Sequence, residues 1–310
     1  MILTLTVNPA IDRNLTVDRL AFEDRAYILN SEESAGGRGI NASEVIHSFG
    51  GETVAIAPVG GETGERLEQY LSGRGFAVDT LPVRAATRVN LNISDEHGLT
   101  IKLNEKGLPI QPKELEDIER AVERRLPQAR WLMLCGSLPP GAPGDLYARL
   151  IEKAHKRGVK TLLDTDGEAL ELGLEARPTA ISPNQHEAER LLNKVLLTRI
   201  QLLDAAERIR MMGPEMVVLS TGAKGCLGAR EGLIVEAIPP RVEAVSPIGA
   251  GDALAASFVW AMCRDNDFHE ALRWGVAAGT ASAMLPGLHF PTIEQTRKIY
   301  AQVQLRDNPR

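Results

Sequence analysis

Residues 131–164 read WLMLCGSLPPGAPGDLYARLIEKAHKRGVKTLLD, and their rhythm decides the fold. WLMLCGS is a continuous apolar run, the pattern of a strand buried on both faces. DLYARLIEKAHKRG follows with apolar residues at helical spacing, a basic C-terminal end and a glycine stop. VKTLLD is then a second apolar strand. A strand, a crossover helix and another strand make a parallel pair, and the unit recurs along the chain. Strands are expected at 2–7 (ILTLTV), 53–59 (TVAIAPV), 180–182, 216–220 and near 226–238. Helices are expected at 40–49, 64–75 and 113–126, from near 184 and 198, and near 253–263, 268–285 and 292–304. The fold class is therefore α/β, a parallel sheet covered by helices on both faces.

Two patches, about 10–34 and 82–106, break this rhythm. NLTVDRLAFEDRAYILN (14–30) alternates loosely, and PVRAATRVNLNISDEHGLTIKLN (82–104) reads as a hairpin turning at DEHG. Such strands suit a sheet with one wet face. They are expected to form a small antiparallel lid on a single domain spanning 1–310, or else edge strands of the main sheet.

The bulk properties exclude several classes. Of 310 residues, 44% are hydrophobic and 25% charged, enough for a large buried core. A net charge of −6 argues against a nucleic-acid surface. No apolar run is long enough to span a bilayer, which argues against a membrane partner. MILTLTVNPA lacks a basic leader, so a cytoplasmic location is expected. Cys135, Cys226 and Cys263 form no CxxC pair, and six histidines show no metal-ligand spacing. There is neither a P-loop motif nor a G-x-G-x-x-G after the first strand.

Four short motifs carry chemistry. IGAGDA (248–253) opens an apolar helix, so the backbone of Gly249, Ala250 and Gly251 can form an anion hole. Asp252 would stand at the helix start, where the dipole favours its ionised form. Such a residue can cap the helix, or it can accept a proton while the amides hold phosphoryl charge. NQHE places Asn184 and Glu187 three apart, suited either to a hydrated Mg²⁺ or to a capping box. STGAKG (220–225) follows a strand as a nucleotide-side turn or a plain hairpin turn. Asp12 and GGRGIN (36–41) could hold a polyol, and Arg88 of TRVN could clamp a phosphate.

In this order TVNPAID, GGRGIN, TRVN, GSLPPG, PNQHE, STGAKG and IGAGDA resemble the ribokinase-like carbohydrate kinases, phosphofructokinase B branch. The resemblance runs nearly end to end and includes GVAAGTASAM (275–284), similar to the family's adenine-side helix. It implies a Rossmann-like three-layer α/β/α sandwich with a β-sheet lid that often makes dimer contacts. It also implies transfer of the ATP γ-phosphate with Mg²⁺. Asp252 then becomes the base, with Gly249, Ala250 and Gly251 as the anion hole. Asn184 and Glu187 organise the metal, largely through water. Asn184, Ser220, Gly222, Gly225, Gly251 and Gly279 belong to the ATP site. Asp12, Gly37, Arg38, Asn41, Arg88, Asn90 and Arg25 belong to the sugar site.

The combination of NPAID, GSLPPG and TRxN resembles the members whose acceptor is a ketohexose phosphate: fructose 1-phosphate, fructose 6-phosphate or tagatose 6-phosphate. Three residues depart from the family pattern. Ser182 replaces a lysine found in several relatives, Arg38 a commoner lysine, and Tyr27 a lid arginine. An unphosphorylated sugar or nucleoside acceptor therefore stays open, as does a non-catalytic sugar- or nucleotide-binding protein.

Overall fold

Leu3, Leu5, Leu132 and Leu134 pack into one hydrophobic cluster, while Ile2, Trp131, Met133 and Cys135 pack into another. That alternation is the period of two of a strand buried on both faces. The computed structural model describes residues 1–21, 23–97, 99–264 and 267–308. In chain order the elements are β1 (Ile2–Thr6), β2 (Ala10–Val17), β3 (Ile28–Gly36), α1 (Arg38–Ser48), β4 (Thr53–Val59), α2 (Gly61–Ser72), β5 (Ala77–Pro82), β6 (Arg88–Asp95), β7 (Thr100–Asn104) and α3 (Pro112–Arg125). There follow β8 (Trp131–Cys135), α4 (Leu146–His155), β9 (Lys160–Asp164), α5 (Gly167–Glu175), β10 (Ala180–Ile181), α6 (Gln185–Leu191) and α7 (Arg199–Met211). The last are β11 (Met216–Ser220), β12 (Cys226–Arg230), β13 (Leu233–Ile238), α8 (Ala250–Cys263), α9 (Phe268–Ala283), α10 (Ile293–Tyr300) and β14 (Gln304–Asp307).

The large sheet has the order β14-β13-β12-β11-β10-β9-β8-β1-β4-β5. From β5 to β11 every pairing is parallel, and β12, β13 and β14 add on antiparallel. Residues of α3, α4, α5, α6 and α7 cover one face, and residues of α1, α8, α9 and α10 cover the other. The three-layer sandwich expected from the resemblance is thus present. No helix among the described residues is long and apolar enough to cross a membrane.

The smaller sheet has the order β3-β2-β6-β7 and corrects the expectation of an antiparallel arrangement. Its outer pairs are antiparallel, but its central pair, β2 with β6, is parallel. The cause is topological: β2 follows β1 and β6 follows β5, two parallel strands, so both enter the small sheet from the same edge. The hairpin begins at Arg88 rather than residue 82, since Pro82 ends β5 of the large sheet. Of the expected DEHG turn, Gly98 lies outside the described residues; Asp95 accepts from the His97 and Leu99 amides at 2.9 Å each.

Three elements escaped the sequence reading. β5 and β14 are edge strands with little buried side-chain surface, and α5 is only nine residues long. The helix expected over 292–304 ends at Tyr300, because Gln304–Asp307 pairs with β13. Pairing across the sheet overrode local preference there.

Candidate active site

β1 lies between β4, the next strand of the large sheet, and β8, which the chain reaches much later. Open α/β sheets bind ligands at the carboxyl ends of strands beside such a switch point. An open cleft of about 790 Å³ occurs there, walled by the ends of β1 and β8, the starts of α1 and α8, and strands β2, β6 and β7 of the small sheet. Asp12, Gly37, Arg38, Asn41, Arg88, Asn90, Gly249 and Asp252 all line it. Sequence-distant motifs therefore share one cavity.

Gly249 is the N-cap of α8, with φ 78° in the left-handed region that glycine tolerates best. Asp252 is thus the third residue of the helix, not its cap. Its Oδ2 instead accepts from Asn41 Nδ2 on α1 at 2.7 Å. Burial first, and then the Asp164 charge, push its carboxyl up to about 7. Arg38 and Asn41 oppose that rise. Desolvation thus works against the ionisation that the helix start is expected to favour.

Arg38 is held by acids. It lines the cleft, yet its Nη1 donates to Asp164 Oδ1 at 2.7 Å and its Nη2 to Glu187 Oε1 at 3.0 Å. These carboxylates, Asp164 foremost, hold the guanidinium well above its ordinary pKa. Burial pushes the Asp164 carboxyl up against that pull. A forked cation satisfied by two acids has little left for an acceptor phosphate.

On the small-sheet side, β2 and β6 pair Asp12 with Asn90 in register, and Asn90 Nδ2 donates to Asp12 Oδ1 at 2.8 Å. Burial raises the Asp12 pKa above its usual value. Asn90 Oδ1 is buried and has no partner, an acceptor atom suited to a ligand hydroxyl. Gly36 is required by proximity, since a Cβ there would lie 2.4–2.5 Å from the Asp12 carboxylate. Arg88 is anchored by donating to the Asn8 carbonyl at 3.2 Å and the Glu105 carbonyl at 2.6 Å. Burial lowers its pKa, with Asp12 and Glu105 opposing. Arg25 is exposed outside the cleft, and Tyr27 is 63% exposed between β2 and β3.

Of the residues expected to bind ATP, Asn184, Ser220, Gly222 and Gly225 lie at the neighbouring ends of β10 and β11, Gly251 and Gly279 lie on helices, and none lines the cleft. Asn184 bridges Ser220, and the Ser220 amide donates to the Pro183 carbonyl at 2.9 Å. Gly222 is exposed, in a short 3₁₀ turn joining β11 to β12. Gly225 has φ 96°, and a Cβ there would lie 2.1 Å from the Ala237 carbonyl. Gly251 is exposed on the first turn of α8. Gly279 sits inside the α8–α9 contact, where a Cβ would be 2.9 Å from the Ala250 carbonyl. Ser182 is buried, its amide donating to the Leu163 carbonyl.

Asn184 and Glu187 form the complete capping box: each side chain accepts from the other's amide at 2.9 Å. Glu187 Oε1 takes Arg38 as well. No group of three or more His, Cys, Asp or Glu among the described residues is arranged to hold a metal directly. The hard oxygens of Glu187, Asp164 and Asp166 nevertheless fit a hydrated Mg²⁺, which keeps much of its water.

Several cleft residues were missed by the sequence reading. Lys102 and Lys106 line the cavity with Arg88, and Ser137 of the quoted GSLPPG lines it too, accepting from Asn8 Nδ2 at 3.3 Å. Asp164 had a legible signal, an acid ending a parallel strand at the binding edge. The lysines gave none, because a charge on an alternating strand reads as a solvated face.

The model of the "pfkB family carbohydrate kinase" matches residues 5–295. The chain is 31% identical to ATP-dependent 6-phosphofructokinase isozyme 2 of Escherichia coli (strain K12), over 97% of this chain and 98% of that protein. It is 30% identical to a 1-phosphofructokinase of Borreliella burgdorferi, over 99% of both. The crystal structure of phosphofructokinase-2 from Escherichia coli in complex with substrates and products superposes with a TM-score of 0.90 at 31% identity, covering 97% of this chain and 98% of that one.

Proposed function

The chain belongs to the pfkB family of carbohydrate kinases, and from that premise we propose that it transfers the γ-phosphate of ATP to a hydroxyl of a ketohexose phosphate. One observation carries the reading: Asp252, held by Asn41, opens into the same cleft as the Asp12–Asn90 pair and the cations Arg88, Lys102 and Lys106. The carboxylate–amide pair suits sugar hydroxyls, with Asn90 Oδ1 as the free acceptor. The three cations suit the phosphate that the acceptor already carries.

In this mechanism Asp252 takes the proton of the acceptor hydroxyl. The hydroxyl oxygen forms a bond to the γ-phosphorus as the bond to the ADP oxygen breaks. First-turn amides of α8 meet the charge on the transferring phosphoryl group. ATP lies along Asn184, Ser220, Gly222 and Gly225. Glu187, Asp164 and Asp166 would hold a hydrated Mg²⁺, which would supply charge neutralisation at the phosphates. The whole chain acts as one kinase domain, with β2, β3, β6 and β7 as the lid. The exposed Ile28, Leu29 and Leu103 of that sheet, with Tyr27 just before β3, support a homodimer.

The engagement of Arg38 by Asp164 and Glu187 removes one expected phosphate ligand, which favours a second reading with an unphosphorylated acceptor. Measuring ADP release over fructose 1-phosphate, fructose 6-phosphate, tagatose 6-phosphate and free sugars separates the two. Turnover restricted to free sugars would replace the first reading. Ligand binding without any ADP would replace both with a sensor.

A further inference from the structure

Asn41 lies on the first turn of α1, buried, and reaches Asp252 across 211 residues of chain at 2.7 Å. The start of α1 is pinned to β1: the Ile40 amide donates to Thr6 Oγ1 at 3.2 Å, and a Cβ on Gly39 would come within 2.6 Å of that same oxygen. The amide is therefore presented from a fixed platform. An ionised carboxylate only accepts hydrogen bonds, so Asn41 must turn its nitrogen toward Asp252. The last torsion of an aspartate is broad and roughly two-fold, so an unheld carboxylate would sample many orientations. A donor on Oδ2 selects one of them and leaves Oδ1 for another partner.

We propose that Asn41 is a positioning residue that fixes the Asp252 carboxylate through Oδ2, making Oδ1 the oxygen that takes the acceptor's proton. This rests on the kinase reading and adds orienting the base to the sugar contact expected of Asn41. The other charges facing Asp252, the anions Asp164 and Asp12 and the cation Arg38, act on it through space. Asn41 supplies a short directional contact from the opposite helix.

The test compares Asn41→Ala and Asn41→Asp with the unaltered enzyme on whichever acceptor it turns over. Asp copies the shape of Asn but loses the donor, so a packing role would survive it. Both variants are expected to lower kcat about 10- to 100-fold, as a misplaced catalytic group does, whatever a lost sugar contact adds to acceptor KM. In an Asp252→Ala background the Asn41→Ala change should leave residual turnover within about twofold. A raised acceptor KM with kcat retained, an unaffected Asn41→Asp, or additive losses in the double variant would each overturn the proposal. A ¹³C NMR titration of the Asp252 carboxyl needs no turnover. Its midpoint should move to higher pH in Asn41→Ala, and an unmoved midpoint overturns the link. Should the unaltered protein phosphorylate nothing, the kinase reading fails, while this titration still decides the contact.

Discussion

Arg38 and Asp164, 126 residues apart, meet at 2.7 Å, and the same guanidinium reaches Glu187 at 3.0 Å. One cation thus ties the start of α1 to the end of β9 and the start of α6. Arg38→Ala would leave two buried carboxylates facing each other. Breaking such a pair costs several kcal/mol when fully buried. The Arg38 side chain is 32% exposed, so about 1–3 kcal/mol is expected after allowing for screening. Arg38→Lys should recover only part of this, because a single ammonium cannot fork between two acids. Urea unfolding of the three proteins checks the order.

Asp252→Asn keeps the hydrogen-bonding shape and removes the proposed base. A loss of about 10²–10⁴ in kcat is expected for a missing general base, with ATP binding retained. Full turnover in this variant would sink the mechanism. Its stability should change in the opposite sense. The folded pKa of about 7 lies above the ordinary 3.8, so the native state binds this proton more tightly than the unfolded chain. The stabilisation is complete below about pH 4 and is lost as pH rises through about 7. At pH 8 Asp252→Asn should therefore melt at the same or a higher temperature than the unaltered protein.

The same titration predicts the acid limb of the rate profile. As the proposed base, Asp252 would work only when ionised, so kcat/KM should fall as pH drops through about 7, by roughly tenfold between pH 8 and pH 6. A flat profile over that interval, with a substrate that does not itself titrate there, would remove Asp252 as the base.

Arg88→Ala should raise the KM for a phosphorylated acceptor about 10- to 100-fold, the loss of a charge-assisted contact. Activity on a free sugar should change far less. Lys102→Ala should act in the same direction more weakly, since Lys102 is exposed on β7. Steady-state kinetics with both acceptor types discriminate.

Gly36→Ala places a methyl 2.4–2.5 Å from the Asp12 carboxylate, which must then leave its bond to Asn90. Overpacking of this kind costs about 1–3 kcal/mol, and acceptor KM should rise with it. Thermal unfolding and acceptor titration read the two effects together.

By itself the sequence determined the layered architecture and which motifs would meet. Runs such as WLMLC and TLLD state their burial on both faces locally, residue by residue. The glycine turns and the acid after GAG are likewise local features. Tertiary structure alone decided what those groups do to one another. The parallel β2–β6 pairing depends on where two distant strands leave the large sheet. The capture of Arg38 by Asp164 and Glu187, and of Asp252 by Asn41, joins residues 126 to 211 apart. The basicity of Asp252 follows the same rule, for desolvation and charge coupling depend on what folding places around a group. Hydrophobic period is written along the chain; electrostatic setting exists only in the assembled cleft.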